Sequence, residues 1–286
     1  MDNTSAIILS CALGIIMLGM GLSLVIEDFK RVFQQPKAIF IGLVNQLVFL
    51  PLIAFGLANA LSLDPKIAVG LMILAACPGG ATSNLISHLA KADTALSVSL
   101  TAFSSVITIV SIPFIVNFAL EEFLAESNMI RMDLLEAFIN IFLIVVFPII
   151  FGMLIRKYRK EFALKMGKPV RIASAVLLFV IIIGIVIKER KVLADSIQSA
   201  GLAVLIMNLA IMLLGYYSAR VFSIKKPRAL SIAIESGIQN GTLGITVATV
   251  LLGRIDLAVV SAVYGVFMFF SGGLAIFVGS RQAKKQ

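Results

Sequence analysis

ACPGGATSNL, residues 76–85, lies in a stretch that is otherwise built to cross a membrane. The residues from Ile67 to Ala75 are apolar, and so are most of those after Leu85. A proline, two glycines and three side-chain oxygens therefore fall where lipid solvates none of them. Proline removes a backbone donor and glycine lets the chain unwind, so the stretch reads as a break in a spanning helix. Unwound backbone is tolerated at membrane depth only inside protein or along a cavity.

The composition supplies that membrane. Hydrophobic residues make up 60% of the 286 and charged residues 14%, with a mean hydropathy of +1.06. A soluble domain of this length needs far more polar surface. The apolar runs are about 20 residues long, enough to cross as helix, and the short alternating segments of a β-barrel are absent. Nine spans are read, at 6–26, 38–61, 66–89, 94–120, 134–155, 170–187, 196–219, 229–252 and 255–280. With the N-terminus outside, eighteen of the 24 Lys and Arg fall on the inner side and six on the outer. That bias gives an N-out, C-in topology and turns the net charge of +9 into a topology signal rather than a mark of nucleic-acid binding. The N-terminus lacks a basic n-region, so no cleaved signal peptide is expected, and Cys11 and Cys77, both in apolar runs, imply no disulfide framework.

A second span is interrupted in the same way. ALSIAIESGIQNGTLGITVATVLL, in the eighth, carries glycines and amides at its midpoint. The two broken spans are five apart, so they cross in opposite directions, the pattern of an inverted-repeat secondary transporter. Spans one to four and six to nine would be the two repeats. The acidic segment 121–133 then reads as an external linker.

Glu235 sits near the centre of the eighth span, whereas the other acidic residues lie in loops, at termini or near span ends. A carboxylate at that depth costs several kcal/mol unless it is protonated, paired or coordinated, and no Lys or Arg lies at comparable depth. One reading is a neutral acid hydrogen-bonded to a neighbour. Its surroundings favour a cation. Gln239 follows at i+4 with Asn240 beside it, Asn45 and Gln46 lie near mid-depth in the second span, and Thr82, Ser83 and Asn84 follow the first break. The fourth span carries Ser97, Thr101, Ser104, Ser105 and Thr108 as a hydroxyl stripe, of which Ser97 and Thr101 are read as ligands and the rest equally well as packing residues. Neutral oxygens with one carboxylate suit a hard monovalent cation better than zinc. No hydrolase or metalloprotease motif occurs, His88 near a span end reads as an interface residue, and GMG at 19–21 as helix packing, so an enzyme is not expected.

ACPGGATSNLISHLAKADTALSVSLT (76–101) with ESGIQNG (235–241), MGLSLVIEDFKRV (20–32) and NQLVFLP (45–51) resembles the bile acid:sodium symporter family. The resemblance implies an all-α polytopic membrane protein with two crossed broken helices, a core domain and a panel domain. By it, residues 1–33 and 134–191 form the panel, and 34–120 and 192–286 form the core with its cytoplasmic tail. It implies sodium-coupled symport of an organic anion through the cell membrane, a bacterial inner membrane in the simplest case, with membrane lipid as the surroundings and no cofactor beyond Na⁺. One sodium site would use Ser83, Asn84, Ser97, Thr101 and Glu235. The other would use Gln46, Glu235, Gln239 and main-chain groups of Ser236 and Ile238. Thr82 and Asn240, with Pro78 and Gly79 of the break, would meet the anion. The last span departs from some relatives at FMFFSGG (267–273), so a bile acid does not follow. Proton coupling through Glu235 is the alternative, and a channel a further one.

Overall fold

The computed structural model describes residues 3–124, 132–188 and 190–283. Among them every regular element is a helix, and the single β-bridge is isolated. The order is α1 (Asn3–Ser23), α2 (Ile26–Gln34), α3 (Pro36–Val44), α4 (Leu50–Ala60), α5 (Pro65–Ala76), α6 (Ala81–Leu89), α7 (Thr94–Leu124), α8 (Leu134–Ile141), α9 (Phe147–Tyr158), α10 (Lys160–Lys188), α11 (Arg190–Val221), α12 (Lys226–Gly237), α13 (Gly241–Thr246) and α14 (Val259–Ala283). Among the described residues, five continuous stretches are long and apolar enough to span a membrane: Pro36–Ala60, Thr94–Leu124, Leu134–Tyr158, Ala200–Val221 and Asp256–Arg281. The expected third and eighth spans are divided into α5–α6 and α12–α13, so neither half crosses alone.

The first expected span, 6–26, ends sooner than its hydropathy suggests. α1 stops at Ser23, and residues 26–34 form α2, bent by 64° from it. Asp28 fixes the bend: its Oδ2 accepts the Val25 N–H at 2.9 Å, and its Oδ1 pairs with Arg31 at 2.9 Å. Arg31 in turn donates to the Ala95 carbonyl of α7 at 3.1 Å. The basic segment after the fifth span is also more ordered than hydropathy implies, because α9 ends at Tyr158 and α10 begins at Lys160. Of the linker 121–133, residues 121–124 continue α7, and 125–131 lie outside the described residues. Beyond them Asp133 caps α8 through the Glu136 N–H at 2.8 Å.

Of three short stretches of wider π-helix among the described residues, Val247–Leu251 continues α13, and Asn45–Phe49 and Phe142–Val146 join α3 to α4 and α8 to α9. The latter two each end two residues before a proline, Pro51 or Pro148. Proline cannot donate to the carbonyl four residues back and clashes with it, and an i→i+5 turn removes both problems. The first of these turns carries Gln46 into the interior.

α1 packs on α9 at backbone distance. A Cβ on Gly152 would lie 2.5 Å from the Leu18 carbonyl oxygen, and one on Gly21 would overlap the Ile149 carbonyl. Gly21 of the GMG stretch is thus a packing contact, the small-residue approach that lets membrane helices come close, while Gly19 and Met20 line a cavity. Gly152→Val should lower the thermal unfolding midpoint in detergent, with a loss of about 1–3 kcal/mol for overpacking a contact that backbone cannot yield. Gly56→Val, where a Cβ meets nothing, should leave it unchanged.

The centre of the molecule is made by the two broken helices. Every residue from Ile67 to Ala76 of α5 and from Ala229 to Gly237 of α12 is buried. A helix buried all round is ordinarily apolar all round. α5 obeys, but α12 buries Ser231, Glu235 and Ser236.

Candidate functional site

The two breaks meet. α5 ends at Ala76, residues 77–80 run extended, and α6 starts at Ala81; α12 ends at Gly237 and α13 starts at Gly241. Gly79 and Gln239 form an antiparallel bridge, and the Asn240 N–H donates to the Pro78 carbonyl at 2.9 Å. Each break thus satisfies backbone groups that the other frees, as the interior of a membrane protein demands. Asn240 also caps α13, its Oδ1 accepting the Leu243 N–H at 3.1 Å.

Glu235 lies beside this crossing, 2% exposed. Its carboxylate accepts hydrogen bonds from Ser83 Oγ at 2.7 Å, Ser97 Oγ at 2.9 Å and Thr101 Oγ1. Asn84 Oδ1 lies 2.9 Å from Ser97 Oγ and 3.2 Å from Thr101 Oγ1. The structure therefore gathers Ser83, Asn84, Ser97, Thr101 and Glu235 from three helices into one cluster. Its three hydroxyl protons are shared among more acceptors than they can serve, since Ser83 also faces the Gly80 carbonyl and Thr101 the Ser97 carbonyl. No Lys, Arg or His among the described residues pairs with the carboxylate. A hydroxyl can turn its hydrogen away and offer a lone pair, so the arrangement has spare acceptor capacity for a cation. Among the described residues no three His, Cys, Asp or Glu converge, which is the donor chemistry a transition metal would require.

Gln46 and Gln239, the latter a member of the bridge, form a second group. Gln46 Nε2 donates to Gln239 Oε1 at 2.8 Å and to the Cys77 carbonyl at 2.8 Å, while Gln239 Nε2 donates to Gln46 Oε1 at 3.2 Å and to the Ser236 carbonyl at 2.6 Å. Ile238 is extended and ties back to the Ile234 carbonyl at 2.8 Å. Glu235 spends its hydrogen bonds on the first group and has none to Gln46 or Gln239.

Of the residues expected to meet the anion, Pro78 and Gly79 are buried in the crossing, and Thr82 is half-buried on α6. Asn240 Nδ2 lies 3.9 Å from Met17 Sδ on α1. A cavity of about 350 Å³ opens beside Asn84, bounded by Met20 of α1, Ala81 and His88 of α6, and Thr94 of α7. His88, expected at the interface, is exposed in the last turn of α6 and also borders this cavity. Its spacing of four from Asn84 on one helix is the signal that places it there. Ser104 and Thr108 donate to carbonyls of their own helix at 3.2 Å, which favours the packing reading for them.

A further pair escaped sequence reading. Asn208 of α11 and Tyr264 of α14, 1% and 0% exposed, both donate to the Gly237 carbonyl at 2.7 Å, and Asn208 also donates to the Tyr264 hydroxyl at 2.9 Å. Asn208 and Tyr264 each stand among apolar neighbours in spans that carry other polar residues as well, so nothing in the sequence singles them out.

Residues 10–196 match the Sodium Bile acid symporter family. The chain belongs to that family. It is 35% identical over 274 residues to the uncharacterized sodium-dependent transporter YocS of Bacillus subtilis, covering 96% of this chain and 83% of that one. It is 31% identical over 278 residues to the probable sodium/metabolite cotransporter BASS1, chloroplastic, of Arabidopsis thaliana, covering 96% and 67%. With the ileal sodium/bile acid cotransporter of Oryctolagus cuniculus it shares 28% identity over 280 residues, covering 95% and 78%. The family is one of sodium-coupled transporters rather than enzymes, and the oxygen cluster around Glu235 lies within an integral membrane protein of that family.

Proposed function

We propose that this chain carries an organic anion across the cell membrane together with sodium, by alternating access around the crossing of its two broken helices. The observation that carries the reading is Glu235: a buried carboxylate that accepts from three hydroxyls, two of which also meet an amide oxygen, with no cationic side chain beside it among the described residues. The first sodium ion is held by Ser83, Asn84, Ser97, Thr101 and Glu235. The second takes the amide oxygens of Gln46 and Gln239 and carbonyls of Ser236 and Ile238, once the two amides give up their mutual pairing, with Glu235 supplying charge. Two sodium ions against one carboxylate leave a single positive charge, which a monovalent carboxylate or sulfonate neutralises. Sodium and anion then favour each other's binding, as linkage requires.

The anion occupies the cavity beside Asn84 and reaches Thr82 and Asn240, whose flanking half-helix N-termini favour negative charge. Nine spans with the N-terminus outside fit the positive charge distribution, and the antiparallel meeting of the two breaks supports inverted repeats. α1 packs on α9 and α10, which supports grouping them as a panel that moves against the rest. One net positive charge entering per cycle would gain about 2.3 kcal/mol from a potential of 100 mV.

Proteoliposomes tested with a panel of organic anions should accumulate one of them only under an inward sodium gradient, faster with the interior negative. Uptake indifferent to sodium, or driven by a pH gradient in sodium-free medium, would overturn this scheme and favour the proton-coupled reading. His88→Ala should raise the anion KM about tenfold, the worth of one polar contact to a charged group, while leaving stabilisation by sodium alone unchanged.

A further inference from the structure

Gly237 is the last residue of α12, and its carbonyl has no partner further along the helix because the chain unwinds there. One donor would satisfy it. It receives two, Asn208 Nδ2 from α11 and the Tyr264 hydroxyl from α14, each at 2.7 Å. The third side of the triangle closes at 2.9 Å between Asn208 Nδ2 and the Tyr264 oxygen. Two of the three available protons thus go to one carbonyl, and Asn208 Oδ1 is left buried with no partner among the described residues. An orphaned amide oxygen costs about 1–3 kcal/mol. Capping one carbonyl does not require that cost. Fixing its direction does, because both lone pairs are then held in place.

That direction matters for the neighbours. Gly237 sits between Ser236 and Ile238, and the planes of its two peptide bonds set where both of their backbones point. Space around it is closed as well: a Cβ on Gly237 would overlap the Met212 side chain of α11. We infer that Asn208 and Tyr264 are positioning residues for the second sodium ion, holding Gly237 so that the Ser236 and Ile238 carbonyls and the Gln239 amide face Gln46. The inference rests on the two-site reading above. The clamp comes from α11 and α14, so it ties the sodium ligands to elements outside the crossing, and the Gly237 carbonyl is itself withheld from the ion.

The test needs no substrate. The unfolding midpoint of the detergent-solubilised protein is followed against NaCl, with ionic strength held by choline chloride. An ion bound only by the native state raises stability in proportion to the logarithm of its concentration, and the slope counts the ions. The wild type should show a two-ion slope, and Gln46→Ala a one-ion slope over the same range. Tyr264→Phe, which removes one oxygen, and Asn208→Ala should also fall to about half the wild-type slope, with the second ion returning only at NaCl at least about tenfold higher. Gln46→Ala combined with Tyr264→Phe should lose nothing further. Ser261→Ala, which deletes a buried hydroxyl of α14 outside the clamp, should keep the full slope. Curves for Tyr264→Phe and Asn208→Ala lowered in parallel, with the wild-type slope intact, would overturn the inference and leave a purely structural contact. A one-ion slope in the wild type would instead overturn the two-site reading, and the inference with it.

Discussion

Glu235→Gln should abolish stabilisation by sodium and reduce sodium-driven uptake at least about 100-fold, while the sodium-free protein stays as stable as the wild type or becomes more so. The first part follows from charge. Removing the one carboxylate takes away the attraction for both cations, and each 1.4 kcal/mol lost is tenfold in affinity. Two unit charges about 4 Å apart interact by roughly 4 kcal/mol even at an effective dielectric constant of 20. The second part follows from burial. Without sodium the wild type holds a carboxylate at membrane depth opposite hydroxyls and an amide oxygen alone, and that costs several kcal/mol. Glutamine keeps the shape and an acceptor for Ser83, Ser97 and Thr101 while removing that cost. Thermal unfolding of both proteins in choline chloride and in NaCl reads both parts. A Glu235→Gln protein that sodium still stabilises would place the ions elsewhere, and one that fails to fold in choline would make Glu235 a structural residue.

Gly79→Ala should abolish the sodium response through a single added methyl group. An added Cβ would overlap Glu235 Oε1, and the neighbouring backbone cannot retreat because Gly79 is bridged to Gln239 and Pro78 to Asn240. Either the carboxylate leaves Ser83 and Thr101 or the crossing opens. Both outcomes remove the first ion and weaken the second, so sodium stabilisation should disappear, with about 1–3 kcal/mol of overpacking besides. Gly80→Ala is the matched control. Its Cβ would meet Asn240 Cα at 3.7 Å, an ordinary contact, and Gly80 itself is extended. Near-normal sodium response in Gly80→Ala beside a lost one in Gly79→Ala would separate the fit of one carboxylate from a general need for glycine in the break. Equal responses would remove that distinction.

Much of this site is legible in the residues alone. The breaks are legible because proline and glycine act on their own backbone, whatever surrounds them. Glu235 is legible because depth in a span comes from counting residues, and the cost of charge there does not depend on the neighbours. Ser97 and Thr101 are separable as a pair on one face of α7. Which part of the hydroxyl stripe turns toward Glu235, however, depends on the rotation of α7 about its axis, and that is set by packing. The bend at Val25 is hidden because Asp28 and Arg31 look like ordinary solvated charge in a polar segment. That His88 also borders a cavity is hidden because depth alone cannot say which side of a helix meets one.

What the sequence determined by itself was local: spans from hydropathy, breaks from Pro78, Gly79, Gly80 and Gly241, and one carboxylate too deep to be bland. Tertiary structure decided which of these local features touch. The hydrogen bonds that define the first cluster join Glu235 to residues 152, 138 and 134 positions away, and those that fix Gly237 come from helices on either side of it. No periodicity within a segment encodes such distances. They are set by how the two half-helices satisfy each other's backbone, because in a membrane each broken span must find its missing partners inside the protein.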